Sequence, residues 1–140
     1  AKADDMSPRF NPGFAYQTAV QVNPFVKYQG LEFFGVIERS QGGAENAGSF
    51  TQLGAELLYR FGGRDQFYVG SRYNTVSGSA VVDGPTQEID RIDVGGGWFM
   101  TPNVLTKVNY VTSSYDGAGF TGKFAGAKYN GLVVEAVINF

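Results

Sequence analysis

The chain of 140 residues contains no cysteine and no histidine. Without cysteine there is no disulfide framework, no thiolate metal site and no cysteine nucleophile. Without histidine the commonest general base and metal ligand are missing. An enzyme is therefore not expected, and neither is a cofactor. Charge of one sign is also scarce. The formal net charge is -2, which leaves no basic footprint for nucleic acid. No run of 18 apolar residues occurs, so no transmembrane helix is expected. A membrane β-barrel would show none either, because only every second residue of its strands faces lipid. The opening residues carry no signal-peptide pattern, so an exported protein is expected here in mature or fragment form.

What the chain does have is 20 glycines and 15% aromatic residues. Glycine and aromatics recurring along short alternating segments are a cue for β-barrels and propellers. Residues 1–16 include Pro8, Pro12 and Gly13 and read as a loop or N-terminal tail. Residues 17–140 read as one all-β unit. Seven segments with a period of two follow: Thr18 to Tyr28, Leu31 to Ser40, Phe50 to Phe61, Gln66 to Ser77, Glu88 to Met100, Val104 to Tyr115, and Gly131 to Phe140. Pro24 interrupts the first and predicts a bulge or an unpaired position. The connections alternate short and long: turns at 29–30, 62–65 and 101–103, longer loops at 41–49, 78–87 and 116–128. Tight turns on one rim and long loops on the other are the habit of membrane barrels.

Each segment has one apolar face and one mixed face. The last segment, GLVVEAVINF, puts Leu132, Val134, Ala136, Ile138 and Phe140 on one side and Glu135 on the other. With the phases set this way, Lys27, Glu32, Glu38, Glu56, Arg60, Arg72, Arg91, Asp93, Lys107 and Glu135 all point inward. Arg39 points outward, at a long-loop end where it reaches headgroups. A charge at the lipid midplane costs roughly 2–4 kcal/mol, so its exclusion from the apolar face is expected. The outward aromatics Tyr28, Phe33, Tyr59, Phe61, Phe67, Trp98 and Phe140 gather near the short turns, as an interfacial girdle would. Tyr73 and Tyr110 are candidates for a weaker girdle on the other rim.

Three segments carry a family resemblance: FVKYQGLEFFGVIE (Phe25 to Glu38), GWFMTPNVLTKVNYV (Gly97 to Val111) and YNGLVVEAVINF (Tyr129 to Phe140). Together they resemble the C-terminal part of outer-membrane porins related to the phosphate-selective O/P type. The likeness is specific in the last two segments and looser in the loops. It implies an antiparallel up-and-down transmembrane β-barrel in the outer membrane of a Gram-negative bacterium, with long loops extracellular and short turns periplasmic. It implies contact with outer-membrane lipid and lipopolysaccharide, and recognition of the terminal Phe140 by the barrel-assembly machinery. Such porins have about 16 strands, so this chain would be their final third to half. The missing strands would come from the same polypeptide or another chain, within an oligomer or larger membrane complex.

The inward charges have two readings. They are a pore wall that sets solute selectivity, or paired ions filling a small barrel without a channel. Five are positive and five negative, so the family's phosphate preference does not carry over, and no phosphate-binding set is transferable. The first reading makes the protein a passive diffusion pore for small polar solutes or ions. The second makes it a pore-less barrel that serves a larger assembly through its loops. A third, a soluble barrel holding an apolar ligand, needs the faces reversed. Gly95-Gly96-Gly97 sits inside a strand, so it reads as room for a neighbouring aromatic and not as a phosphate cradle. Asp4-Asp5 and Glu88, Asp90 and Asp93 read as solvated charge. Glu56 and Glu135 form an acid/base pair only if their strands meet.

Overall fold

The computed structural model describes residues 17–139, and all structural statements below concern those residues. They form one antiparallel sheet in up-and-down order: β1 (Gln17–Val22), β2 (Phe25–Tyr28), β3 (Leu31–Gly42), β4 (Ser49–Phe61), β5 (Phe67–Gly78), β6 (Gln87–Thr101), β7 (Val104–Asp116) and β8 (Lys128–Ile138). The expected loop at residues 1–16, with Asp4 and Asp5, lies outside the described residues, as does Phe140. β8 begins at Lys128, three residues before the alternation predicts, because Lys128, Tyr129 and Asn130 continue the ladder with β7.

β1 and β2 are one segment interrupted at Asn23-Pro24. Both pair with β3, and Val22 opposite Ile37 keeps the same register as Phe25 opposite Phe34. No residue is inserted, so the proline makes a gap in the ladder and not a bulge. Pro24 lacks a backbone donor, but its carbonyl still accepts from Gly35 N at 2.8 Å. A side chain on Gly35 would run into the Pro24 ring, whose Cγ lies 2.7 Å from where its Cβ would stand.

Eight strands thus fill seven ladder positions, and the sheet is open. β1–β2 and β8 are its two edges, and no ladder joins them among the described residues. A β-bulge between Phe99 and Thr101 lies at the Thr101-Pro102-Asn103 turn. Gln29 and Asp65 take the positive φ that tight hairpin turns require.

The long loops are ordered and tied together. Ala47 bridges Val81, flanked by Gly48 N to Ala80 O at 3.0 Å and Val82 N to Asn46 O at 3.1 Å. The third loop joins through Gln87 Nε2 to Gly119 O at 2.8 Å and Gly119 N to Thr86 O at 2.9 Å. A short 3-10 turn, Gly122–Phe124, puts Phe124 beside Tyr115. Read as loops alone, these segments hid a continuous rim.

A soluble domain hides its apolar side chains in a core. This sheet has little core of that kind. Glycines aside, its buried residues are Ser40, Phe50, Gln52, Val76 and Val111, all on the face that carries the charges. Nearly all the exposed large hydrophobic residues lie on the opposite face. The exceptions are Phe25, Phe34, Tyr129 and Val137 on the charged face, and Val81, Val82 and Phe124 in loops.

Candidate functional site

Residues paired across an antiparallel ladder share a face, so the register assigns every side chain to one side of the sheet. Two parallel inner rows carry most of the charge. One reads Phe34, Glu56, Arg72, Asp93 and Val111 from β3 to β7. The other reads Arg60, Tyr68, Gly97, Lys107 and Glu135 from β4 to β8. Lys27 and Glu32 are directly opposed on β2 and β3. All ten expected inward charges lie on this one face, and Arg39, paired with Val20 and Thr51, lies on the other.

The inner charges are compensated locally. Glu32 accepts from Lys27 Nζ at 2.9 Å and from Arg60 Nε at 3.1 Å. Arg72 Nε donates to Glu56 Oε2 at 2.6 Å. Arg91 Nε meets the Asp93 carboxylate at 3.1 Å, and Lys107 Nζ meets Glu135 Oε2 at 2.9 Å. Glu38, opposite Gln21 and Gln52, has no ion pair among the described residues. Glu56 and Glu135 share a hollow, but three strands separate them and each has its own cation. They do not form an acid/base pair. Glu88 and Asp90 face away from Asp93, and no group of three carboxylates is placed to hold a metal among the described residues.

The charged face is concave. A hollow of about 440 Å³ draws its lining from β4 through β8, and a neighbouring one of about 210 Å³ runs from β1 to β5. Glycines keep this face open. The Tyr68 ring lies over Gly97, with its hydroxyl oxygen 2.7 Å from where a Gly97 Cβ would stand. Of the glycine triplet, Gly97 thus gives room to an aromatic ring, whereas a Cβ on Gly95 would meet Asn109 and one on Gly96 the Tyr68 carbonyl.

The opposite face is an apolar band, and its long-loop margin is oblique. One register row reads Val20, Arg39, Thr51, Ser77, Glu88 and Asp116. The next reads Val22, Ile37, Leu53, Thr75, Asp90, Ser114 and Lys128, and the third Pro24, Gly35, Ala55, Tyr73, Ile92, Thr112 and Asn130. The fourth reads Val26, Phe33, Leu57, Ser71, Val94, Tyr110 and Leu132. Apolar character ends after β1 in the first row, β4 in the second and β6 in the third, and in the fourth it reaches β8 with one interruption, at Ser71. Each two-residue step along the strands therefore moves the margin about two strands across.

The short-turn margin slides the same way, from Tyr28 and Leu31 through Phe61 and Phe67 to Val104 and Ile138. A band that shifts about one residue per strand is level only if the strands tilt by roughly 35°, given a rise of about 3.3 Å per residue and a spacing of about 4.8 Å. Leu53 to Phe61 on β4 span roughly 26 Å along the strand, or roughly 22 Å in height after that tilt.

Aromatic rings line the short-turn margin. Tyr59, Phe61, Phe67 and Trp98 form a continuous stack, with ring centroids 6.1, 5.6 and 6.0 Å apart. Tyr28 pairs with Leu31, which pairs with Tyr59, one row in. Phe33 lies a further row in, beside Leu57. Tyr73 and Tyr110 fall at the upper margin of the oblique band, and the Tyr73 hydroxyl donates to Asp90 at 2.7 Å.

No family model, curated protein or solved structure matches this chain.

Proposed function

We propose that this chain forms part of the wall of a transmembrane β-barrel in the outer membrane of a Gram-negative bacterium. In this reading it is a porin-like pore through which small polar solutes or ions diffuse. The observation that carries the reading is the oblique apolar band. Membrane barrels tilt their strands by about 35–45° and present an apolar belt about 25 Å tall. The band's slope and height fit both values. Lipid requires a belt level with the bilayer, whereas an apolar patch covered by another soluble element has no reason to follow a tilt. The aromatic stack on the short-turn margin fits one membrane interface, with Tyr73 and Tyr110 at the other.

The inner face supplies the water path. Its ion pairs lie at the depth of the apolar belt, where lipid-facing charge is excluded, and its hollows run past them. The mechanism is passive: the outer face anchors, the inner face solvates what passes, and the interlocked loops narrow the mouth. With Lys and Arg matched by Glu and Asp in close pairs, the wall favours neither cations nor anions strongly. Phosphate-selective porins of the O/P type supply the nearest family expectation for such a wall, without their anion preference.

The test is a pair of measurements on the detergent-extracted protein. An unboiled sample is expected to migrate faster on SDS gels than a boiled one, and planar bilayers are expected to show stepwise conductance with weak charge selectivity. Heat-modifiable protein without conductance would leave the barrel and remove the pore. The protein would then be the pore-less member of an assembly.

A further inference from the structure

We propose that the hollow spanning β1 to β5 on the charged face binds a small organic cation, a protonated primary amine with an apolar stem, through Glu38. The inference rests on the reading of that face as a water path and names a solute class for it.

The first ground is local charge. The inner charges balance in sum but not in place. Glu32 takes both Lys27 and Arg60, and three further pairs consume Arg72, Arg91 and Lys107. Glu38 is left as the inner charge without an ion pair among the described residues. The surplus of cations lies at Glu32, further along β3 and roughly 20 Å away. That exceeds the screening length of about 8 Å in physiological salt, so the surplus does not neutralise Glu38. Arg72 lines the same hollow, but Glu56 holds its guanidinium through both Nε and Nη2.

The second ground is what surrounds the carboxylate. Register sets Glu38 directly between Gln21 and Gln52. Asn23 and Asn74 join them in lining the hollow of about 210 Å³. A Cβ on Gly54 would stand 2.5 Å from Asn74 Oδ1, so the bare glycine lets that amide oxygen lie over the sheet. Carboxamide oxygens accept hydrogen bonds, and an ammonium head has three donors to share between them and the carboxylate. The carboxamides add no positive charge to repel it.

The third ground is the apolar wall. Phe34 and Val36 line the same hollow. Phe34 is paired with Phe25, and both rings are exposed on the charged face. An aromatic ring attracts a cation over its face and packs against a carbon stem. A hydrated metal ion gains nothing from such a wall. A hard divalent ion also takes about six to eight oxygen ligands, carboxylates prominent among them. No group of three acidic side chains is placed to hold one among the described residues. An organic anion would meet the Glu38 carboxylate. One unpaired carboxylate, neutral acceptors and an aromatic wall together select an organic monocation.

The probe is benzylammonium, titrated by calorimetry at low ionic strength into the full polypeptide in non-ionic detergent. Saturable binding is expected, with benzoate and benzyl alcohol weaker by about ten-fold or more. Glu38→Gln keeps the shape and removes the charge, and is expected to weaken benzylammonium by about ten-fold or more. Phe34→Ala keeps the charge and is expected to weaken benzylammonium several-fold while leaving methylammonium unchanged. Circular dichroism checks that both variants keep their strand content. Were Glu38→Gln to misfold, the benzoate and sodium comparisons on the unaltered chain decide. Unaltered binding in Glu38→Gln, equal binding of benzoate, or displacement of benzylammonium by an equal concentration of sodium would overturn the site. Unaltered binding in Phe34→Ala would overturn the apolar stem, and with it this ligand class. Bilayer conductance reads the pore separately. Benzylammonium bound without any conductance would remove the water path and leave the site. Conductance without bound benzylammonium would remove the site and leave the path.

Discussion

Leu57 and Leu58 are adjacent on β4 and face opposite ways. Leu57 pairs with Phe33 and Ser71 in the apolar band, whereas Leu58 pairs with Glu32 and Gly70 beside the ion pairs. The same contrast runs through the whole sheet. On the outer face, charge is absent from the band and appears only past its margin, as at Arg39, Glu88 and Asp116. On the inner face, charge is frequent, and nine of its ten members pair with a neighbour within reach. One face carries a continuous apolar band and the other a set of paired charges. The two faces obey different rules although they share a backbone.

The sharpest break of this comparison is a charge moved across it. Leu57→Arg puts a cation at mid-band and is expected to cost roughly 2–4 kcal/mol. Leu58→Arg puts the same charge on the inner face and is expected to cost far less. Urea unfolding in lipid vesicles measures both. Equal costs for the pair would mean that the outer face does not meet lipid.

A smaller effect is expected within the inner face. Gly97→Val drives a side chain into the Tyr68 ring and is expected to destabilise by about 1–3 kcal/mol. Tyr68→Ala in the same chain is expected to recover part of that loss, because it clears the space. A double-mutant cycle reads the coupling, and additive costs would mean that the ring does not occupy the glycine's place.

The smallest expected effect concerns charge sign. Lys107→Glu places two carboxylates opposite each other at Glu135, which costs about 0.2–1 kcal/mol. Exchanging both partners, Lys107→Glu with Glu135→Lys, is expected to restore stability. In a conducting pore the single change is also expected to raise the cation-to-anion permeability ratio, and the double exchange to return it. Conductance unchanged in both would place the pair away from the solute path.

Much of this was readable in the chain. The alternation of period two divided the residues of all seven ladder positions between the two faces of the sheet, because successive side chains of a strand alternate faces whatever the partner. The short and long connections marked the two rims, and Pro24 marked the break in the first strand. Pairing was not readable. Nothing in the spacing of Arg60 says that it shares Glu32 with Lys27, or that Arg91 meets Asp93 two residues along its own strand. The interlock of the three long loops was also hidden, since Ala47 and Val81 are far apart in sequence and neither carries a turn or strand signal of its own.

The oblique band shows where the division falls. Each strand's apolar stretch, Leu53 to Phe61 or Ile92 to Met100, is determined by sequence alone, because alternation is a local property of the backbone. How those stretches line up is decided by cross-strand hydrogen bonds, which set register between residues that no local rule connects. Only when Leu53 stands opposite Ile37 and Thr75, and Ile92 opposite Tyr73 and Thr112, do the separate apolar runs become one band with a slope.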